Sequence, residues 1–235
     1  MNPVAHEELL EMRAELLRIT ASVVESIPRA TQILLEQDLE GAAYQILGDD
    51  EIDARTIELE ERCVHLMSLH SPVAGELRHA VSIMKMSADI ERSADRLVNI
   101  CKVARRIHGF ELDPKLRGLI GRMGSQAQIL FRQAIEAYAD LDLPMAKAVD
   151  DMDLFLDYLH RQFIQGIFES HTAGNIDLPI AIRMAMTARF YERIGDHAVN
   201  MAHSVQYLIT GVIPSAGDHR RAGRTQTEFD TPSGV

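Results

Sequence analysis

The sequence predicts an all-α protein of six long helices, arranged as two tandem three-helix bundles. Three observations predict it. There is no Trp, only 5% of residues are aromatic, and Leu, Ile, Ala, Met, Glu and Arg are plentiful, a composition of long helices more than of sheets. Apolar residues recur in alternating steps of three and four, as one buried helical face requires. Residues 88–99 are echoed at 189–200: an offset of 101 pairs Glu91 with Glu192, Arg92 with Arg193, Asp95 with Asp196, Val98 with Val199 and Asn99 with Asn200.

Each helix follows from its stripe and its boundaries. Over 6–38 the stripe is Leu9, Met12, Leu16, Ile19, Val23, Ile27, Ala30 and Leu34, and Pro28, which lacks a backbone donor, predicts a kink or break near Ser26. After a turn at Glu40-Gly41, a second helix over 42–69 carries Ile52, Thr56, Leu59, Cys63 and Leu66 and stops before Pro72. The third, 73–108, carries Ile83, Met86, Ile90, Ala94, Leu97, Cys101 and Ala104, with the basic run Lys102 to His108 at the negative end of its dipole and Gly109 as its stop. Asp113-Pro114 supplies an N-cap and an N1 proline for the fourth helix, striped by Leu116, Ile120, Met123, Ala127, Leu130, Ala134, Ala137 and Leu141. Leu143-Pro144 opens the fifth, with Met152, Leu156, Leu159, Phe163 and Ile167. After the loop 172–175, the sixth runs over 178–210 with Met186, Phe190, Ile194, Ala198, Met201, Val205 and Leu208. The repeats divide the chain into 1–110 and 111–211, and the polar, aperiodic residues 212–235, with Arg220, Arg221 and Arg224, read as a disordered tail.

Bulk properties exclude several classes. A hydrophobic content of 46% over 235 residues is ample for a buried core. No apolar run approaches the roughly 20 residues of a membrane span, and the first residues are acidic where a signal peptide is basic, so a soluble cytoplasmic protein is expected. Cys63 and Cys101 fall on core stripes and read as buried free thiols. A formal net charge of −11 argues against direct nucleic-acid binding and suits cations.

The repeated polar residues carry the functional signal. Glu91 and Asp95, like Glu192 and Asp196, lie off their apolar stripes, and a second repeat, offset by 100, matches Asp50 and Asp53 with Asp150 and Asp153. Counting from the turns near Pro72 and Gly174 places these carboxylates, on adjacent antiparallel helices, within roughly one helical turn of the same height. Converging carboxylates repel unless cations sit among them. Surface ion pairs with Arg92, Arg96, Arg189 and Arg193 would serve, and so would metal. Carboxylate ligands with no cysteine nearby favour magnesium, manganese, iron or calcium, with zinc also admitted. The expectation is two acidic metal sites, one per half: Asp50, Asp53, Glu91 and Asp95, and Asp150, Asp153, Glu192 and Asp196.

The doubled Glu91-Arg-Ser-Ala-Asp95 and Glu192-Arg-Ile-Gly-Asp196, with Asn99 and Asn200 downstream and the opening Ser71-Pro-Val-Ala-Gly-Glu-Leu-Arg78, resembles the PhoU family of phosphate-uptake regulators over residues 5 to 210. The resemblance implies two three-helix bundles with surface metal sites, and a non-enzymatic regulator. Such a protein would link a phosphate ABC transporter, through its ATPase subunit, to the membrane sensor histidine kinase of the phosphate regulon, as a negative regulator and a homodimer. Two departures stand out. Ser93-Ala94 replaces the Ile194-Gly195 pair of the second copy, so close approach to the helix backbone is expected in the second half only. Asp89 faces Phe190 in the alignment, so the two sites should differ in charge.

A competing enzyme reading is a carboxylate-bridged dimetal oxidase, which needs Glu-x-x-His motifs facing a bundle interior. Glu76-Leu-Arg-His79 has the spacing and Asp157-Tyr-Leu-His160 nearly does, but their positions are not equivalent in the two halves. His79 reads as an ordinary helix histidine and His160 as a surface or boundary one; His203, on the side of Asp196, reads as a solvated histidine with an outer ligand as the alternative, and neither it nor His197 is placed in the metal set.

Overall fold

The computed structural model describes residues 3–214. Six long helices and one short one follow in order: α1 (Pro3–Glu36), α2 (Leu39–Leu47), α3 (Asp49–His70), α4 (Gly75–Arg106), α5 (Pro114–Asp140), α6 (Leu143–Thr172) and α7 (Leu178–Thr210). The residues expected to stop and start them do so. Asp113, Asp142 and Asp177 are N-caps whose side chains accept from the backbone N–H of Lys115, Met145 and Ile180, each with a proline in the first turn. Gly109 and Gly211 take left-handed backbone angles just beyond α4 and α7.

Two boundaries differ from expectation. α1 runs unbroken through Pro28. Proline removes the donor that would satisfy the carbonyl of Val24, and Gln128 of α5 donates its Nε2 amide to that oxygen instead, at 3.2 Å. The predicted second helix is two helices, because the chain breaks at the exposed Gly48. The short α2, capped by Asp38, packs against α4, and α3 begins afresh with Asp49, Asp50 and Glu51 in its first turn, where the helix dipole favours negative charge.

α1, α3 and α4 pack as one three-helix bundle, and α5, α6 and α7 as the second. They also pack on each other, α4 along α7 and α1 along α5, so buried residues from both halves form one continuous apolar cluster. This explains why α4 and α7 bury more than the single stripe read from sequence: Ser82, Ser87 and Ser93 on α4 and Thr187, Tyr191 and Ser204 on α7 are buried as well. Met186, assigned to the α7 stripe, is half exposed. Both cysteines are free and buried, and burial pushes each thiol up to about 12. Arg220, Arg221 and Arg224 lie outside the described residues.

Polar groups stitch the halves together. Tyr191 of α7 shares a 2.8 Å hydrogen bond with Thr31 of α1, and Ser82 of α4 donates to the carbonyl of Ser204. Asp89 of α4 is 6% exposed; its Oδ1 accepts from His197 Nδ1 at 3.0 Å and from Asn200 Nδ2 at 3.2 Å, both on α7.

Candidate functional site

Each half gathers carboxylates where its second long helix crosses its third. In the first half, burial raises Glu91 and Asp53 above the usual carboxylate range, and repulsion adds to it, from Asp53 and Asp95 on Glu91 and from Asp50 and Asp95 on Asp53. Asp49 is pushed up to about 6, by burial first and then by Asp53 and Asp95. In the second half, Asp153 is pushed up to about 7, by burial first and then by Asp157, Asp196, Asp150 and Glu192. The repelling neighbours lie across α3 and α4 in one half and α6 and α7 in the other, the helix pairs that counting from the turns placed side by side.

Membership differs from the expectation in four ways. Asp49 and Asp157 belong to the clusters and were not singled out from sequence. The signal was available: Asp49-x-x-x-Asp53 and Asp153-x-x-x-Asp157 have the spacing of Glu91 and Asp95, but the 100-residue alignment set Asp49 against Val149 and Asp157 against Ile57. The extra carboxylate therefore comes one turn before the shared Asp in the first half and one turn after it in the second. Asp50 is exposed, so it acts on Asp53 from the rim. Asp150 is nearly buried and is engaged across α6 and α7 by His203, whose Nε2 donates to Oδ1 at 2.9 Å, which corrects the reading of His203 as solvated. Asp89, expected to add charge to the first cluster, turns instead into the junction between the halves, where its partner His197 is buried.

The arginines pair with three of the acidic groups. Arg96 pairs with Asp95 at 2.8 Å, Arg193 with Asp196 at 3.2 Å, and Arg189 with Glu192, all within one helix. Among the described residues no ion pair reaches Asp49, Asp53 or Asp153 on the facing helices. Asp53 and Asp153 therefore sit partly buried among like charges, and burial first, then that repulsion, raises their proton affinity; at Asp49 the charge of Lys102 offsets part of the same effect. An all-carboxylate donor set suits a hard cation. As the side chains stand, no three His, Cys, Asp or Glu of the described residues are gathered closely enough to hold a metal ion.

Gly195 shapes the second cluster. A Cβ there would lie 2.5 Å from Leu156 Cδ2 and 2.6 Å from Asp153 Oδ1, so the bare backbone lets α6 and its carboxylate close onto α7. The first half has Ala94 in that place, so the expected one-sided close approach is found.

The histidine of the better-spaced oxidase motif is otherwise engaged. His79 Nε2 shares a 2.8 Å hydrogen bond with Tyr138, and burial lowers it to about 4.

A doubled three-helix bundle with a carboxylate cluster on each half defines a class of helical-repeat proteins. Within that class the chain belongs to the PhoU family, whose PhoU domain model matches residues 16–104 and again 120–205. It is 32% identical to phosphate-specific transport system accessory protein PhoU homolog 1 of Mycobacterium bovis, over 92% of this chain and 97% of that protein. It is 31% identical to the corresponding PhoU homolog of Aquifex aeolicus, over 88% and 93%. The crystal structure of PhoU from Pseudomonas aeruginosa superposes with a TM-score of 0.83 at 27% identity, covering 88% of this chain and 99% of that one. Among the described residues, no helix is long and apolar enough to cross a membrane.

Proposed function

We propose that this protein is a cytoplasmic, non-enzymatic regulator of phosphate homeostasis that binds metal ions. It links a phosphate transporter, through its ATPase subunit, to the membrane sensor kinase of the phosphate regulon, acts negatively on uptake and signalling, and works as a homodimer. Family membership supports the regulatory part, since the relatives carry the name of accessory proteins of phosphate-specific transport. The observation that supports the metal part is the burial of Asp49, Asp53 and Asp153 among like charges, beside Glu91, Asp95, Glu192 and Asp196, which raises their proton affinity. Magnesium, manganese, iron, calcium or zinc would supply the missing positive charge and brace α3 on α4 and α6 on α7. Asp50 and Asp150, the latter through His203, would act from the margins of the sites.

Metal content of purified protein before and after chelation, compared with Asp95→Asn and Asp196→Asn, tests the metal part. Each variant should lose the ion of its own half, and equal metal in all samples would refute it. Co-purification from phosphate-replete cells tests the linkage: the transporter ATPase and the sensor kinase should accompany the protein, and recovery of neither removes that role.

A further inference from the structure

The offset of 101 residues carries α4 onto α7, and the two helices pack antiparallel, Ser82 against Ser204 and Asp89 against His197. Between positions 85, 88, 89 and 92 of α4 and 200, 203, 204 and 207 of α7 a groove of about 360 Å³ opens. Side-chain size is the cause. Ala88 and Ser204 lie midway along the two rows, and the repeat has Arg189 and Val103 at the corresponding positions, with Phe190 in place of Asp89. The room therefore belongs to this end of the junction and is not required by the fold. Ile213 and Pro214, just past the end of α7, add an apolar part to the lining.

In a chain of net charge −11 this groove is cationic. Lys85 and Arg92 stand two turns apart, about 10 Å along α4, one on either side of Ala88. Lys85 Nζ lies 5.5 Å from the centre of the Tyr207 ring and forms no ion pair among the described residues. The Arg92 side chain is 56% exposed and lies 3.9 Å from Asp89, but that carboxylate is buried and its Oδ1 is already taken by His197 and Asn200. His203 is held by Asp150. The groove thus offers two long cationic side chains against one buried anion, and Asn200 Nδ2 keeps a second N–H to donate. Two cations able to close on one point over a small residue favour a doubly charged oxyanion such as phosphate over a single carboxylate. The volume lies at the low end of the roughly 300–1,000 Å³ of small-molecule sites, so an organic portion has room against Ile213 and Pro214. We propose that this groove binds the phosphate group of a small compound, held between Lys85 and Arg92 above Ala88. It uses none of the cluster carboxylates and does not depend on metal at them.

Isothermal titration calorimetry of the full chain with AMP, inorganic phosphate and adenosine tests the proposal, with chelator present so that phosphate held by metal does not contribute. AMP should bind saturably and adenosine should not. Tighter binding of AMP than of phosphate supports an ester as the ligand, equal binding supports the free ion, and either supports the site. Lys85→Met, which installs the residue of the repeat, should weaken AMP binding at least about tenfold, the loss expected for one charge-assisted contact. Ala88→Arg should abolish binding by filling the groove, although it adds a positive charge. Arg132→Met, which removes an exposed cation of α5, should leave binding unchanged, and circular dichroism melts of the Lys85 and Arg132 variants should match the parent. Saturable binding of neither AMP nor phosphate overturns the proposal, as does adenosine binding as tightly as AMP. Binding untouched by Lys85→Met, or strengthened by Ala88→Arg, overturns it too, since general charge attraction would then suffice.

Discussion

Asp153→Asn should stabilise the metal-free protein above neutral pH, an unusual outcome for altering a largely buried polar residue. Burial, with Asp157, Asp196, Asp150 and Glu192 around it, moves this carboxyl from 3.8 to about 7. Because the folded value is the higher one, the native state holds the proton more tightly than the unfolded chain does. Stability therefore falls as pH rises from about 4 to about 7 and is level beyond. A displacement of that size corresponds to about 4 kcal/mol at most. Residual solvent contact, and repulsion surviving in the unfolded chain, reduce the expected gain to about 2 kcal/mol at pH 8. In a chain of this length that is a rise of roughly 4–8 °C in Tm. Urea unfolding followed by circular dichroism, with chelator present, at about pH 8 and again near pH 4.5, where the parent carboxyl is protonated, measures it. The gain should shrink to a few tenths of a kcal/mol at the lower pH. A variant less stable than the parent at pH 8, or equally stabilised at both pH values, would refute the reasoning that this carboxylate is held against its own repulsion.

Gly195→Ala should destabilise by about 1–3 kcal/mol in the same unfolding assay, because the added Cβ meets Leu156 and Asp153 inside contact distance and this outweighs the roughly 1 kcal/mol that alanine normally gains in a helix. Asp89→Ala strips the shared acceptor from His197 and Asn200 at the junction of the halves. It should cost about 1–3 kcal/mol, and a double-mutant cycle with His197→Ala should show coupling well above zero.

The all-α class, the long helices and their capped starts were legible because they depend on local chemistry. Asp113-Pro114 caps its helix wherever that helix packs, and steps of three and four mark a buried stripe whatever lies opposite. The helix pairing of the clusters was legible for a similar reason: a short connection fixes an antiparallel hairpin, and counting residues from the turn then fixes height. The exact set of carboxylates was not. Asp49 and Asp157 break the 100-residue register, and only the packed helices show that a neighbouring turn, before in one half and after in the other, completes each group.

What the sequence by itself determined is the repeated helical bundle, its family resemblance and the crossing at which acidic groups collect. Tertiary structure alone decided which polar residues leave that collection. Asp89 looked like a further site charge until α4 packed on α7 and placed it against His197 and Asn200, and Asp150 looked free until His203 came across from α7. Pro28 looked like a break until α5 offered Gln128 to the carbonyl it strands. The physical reason is common to all three: a polar group's role depends on the partner that burial brings to it, and that partner lies about 50 to 110 residues away along the chain, beyond the reach of any local pattern.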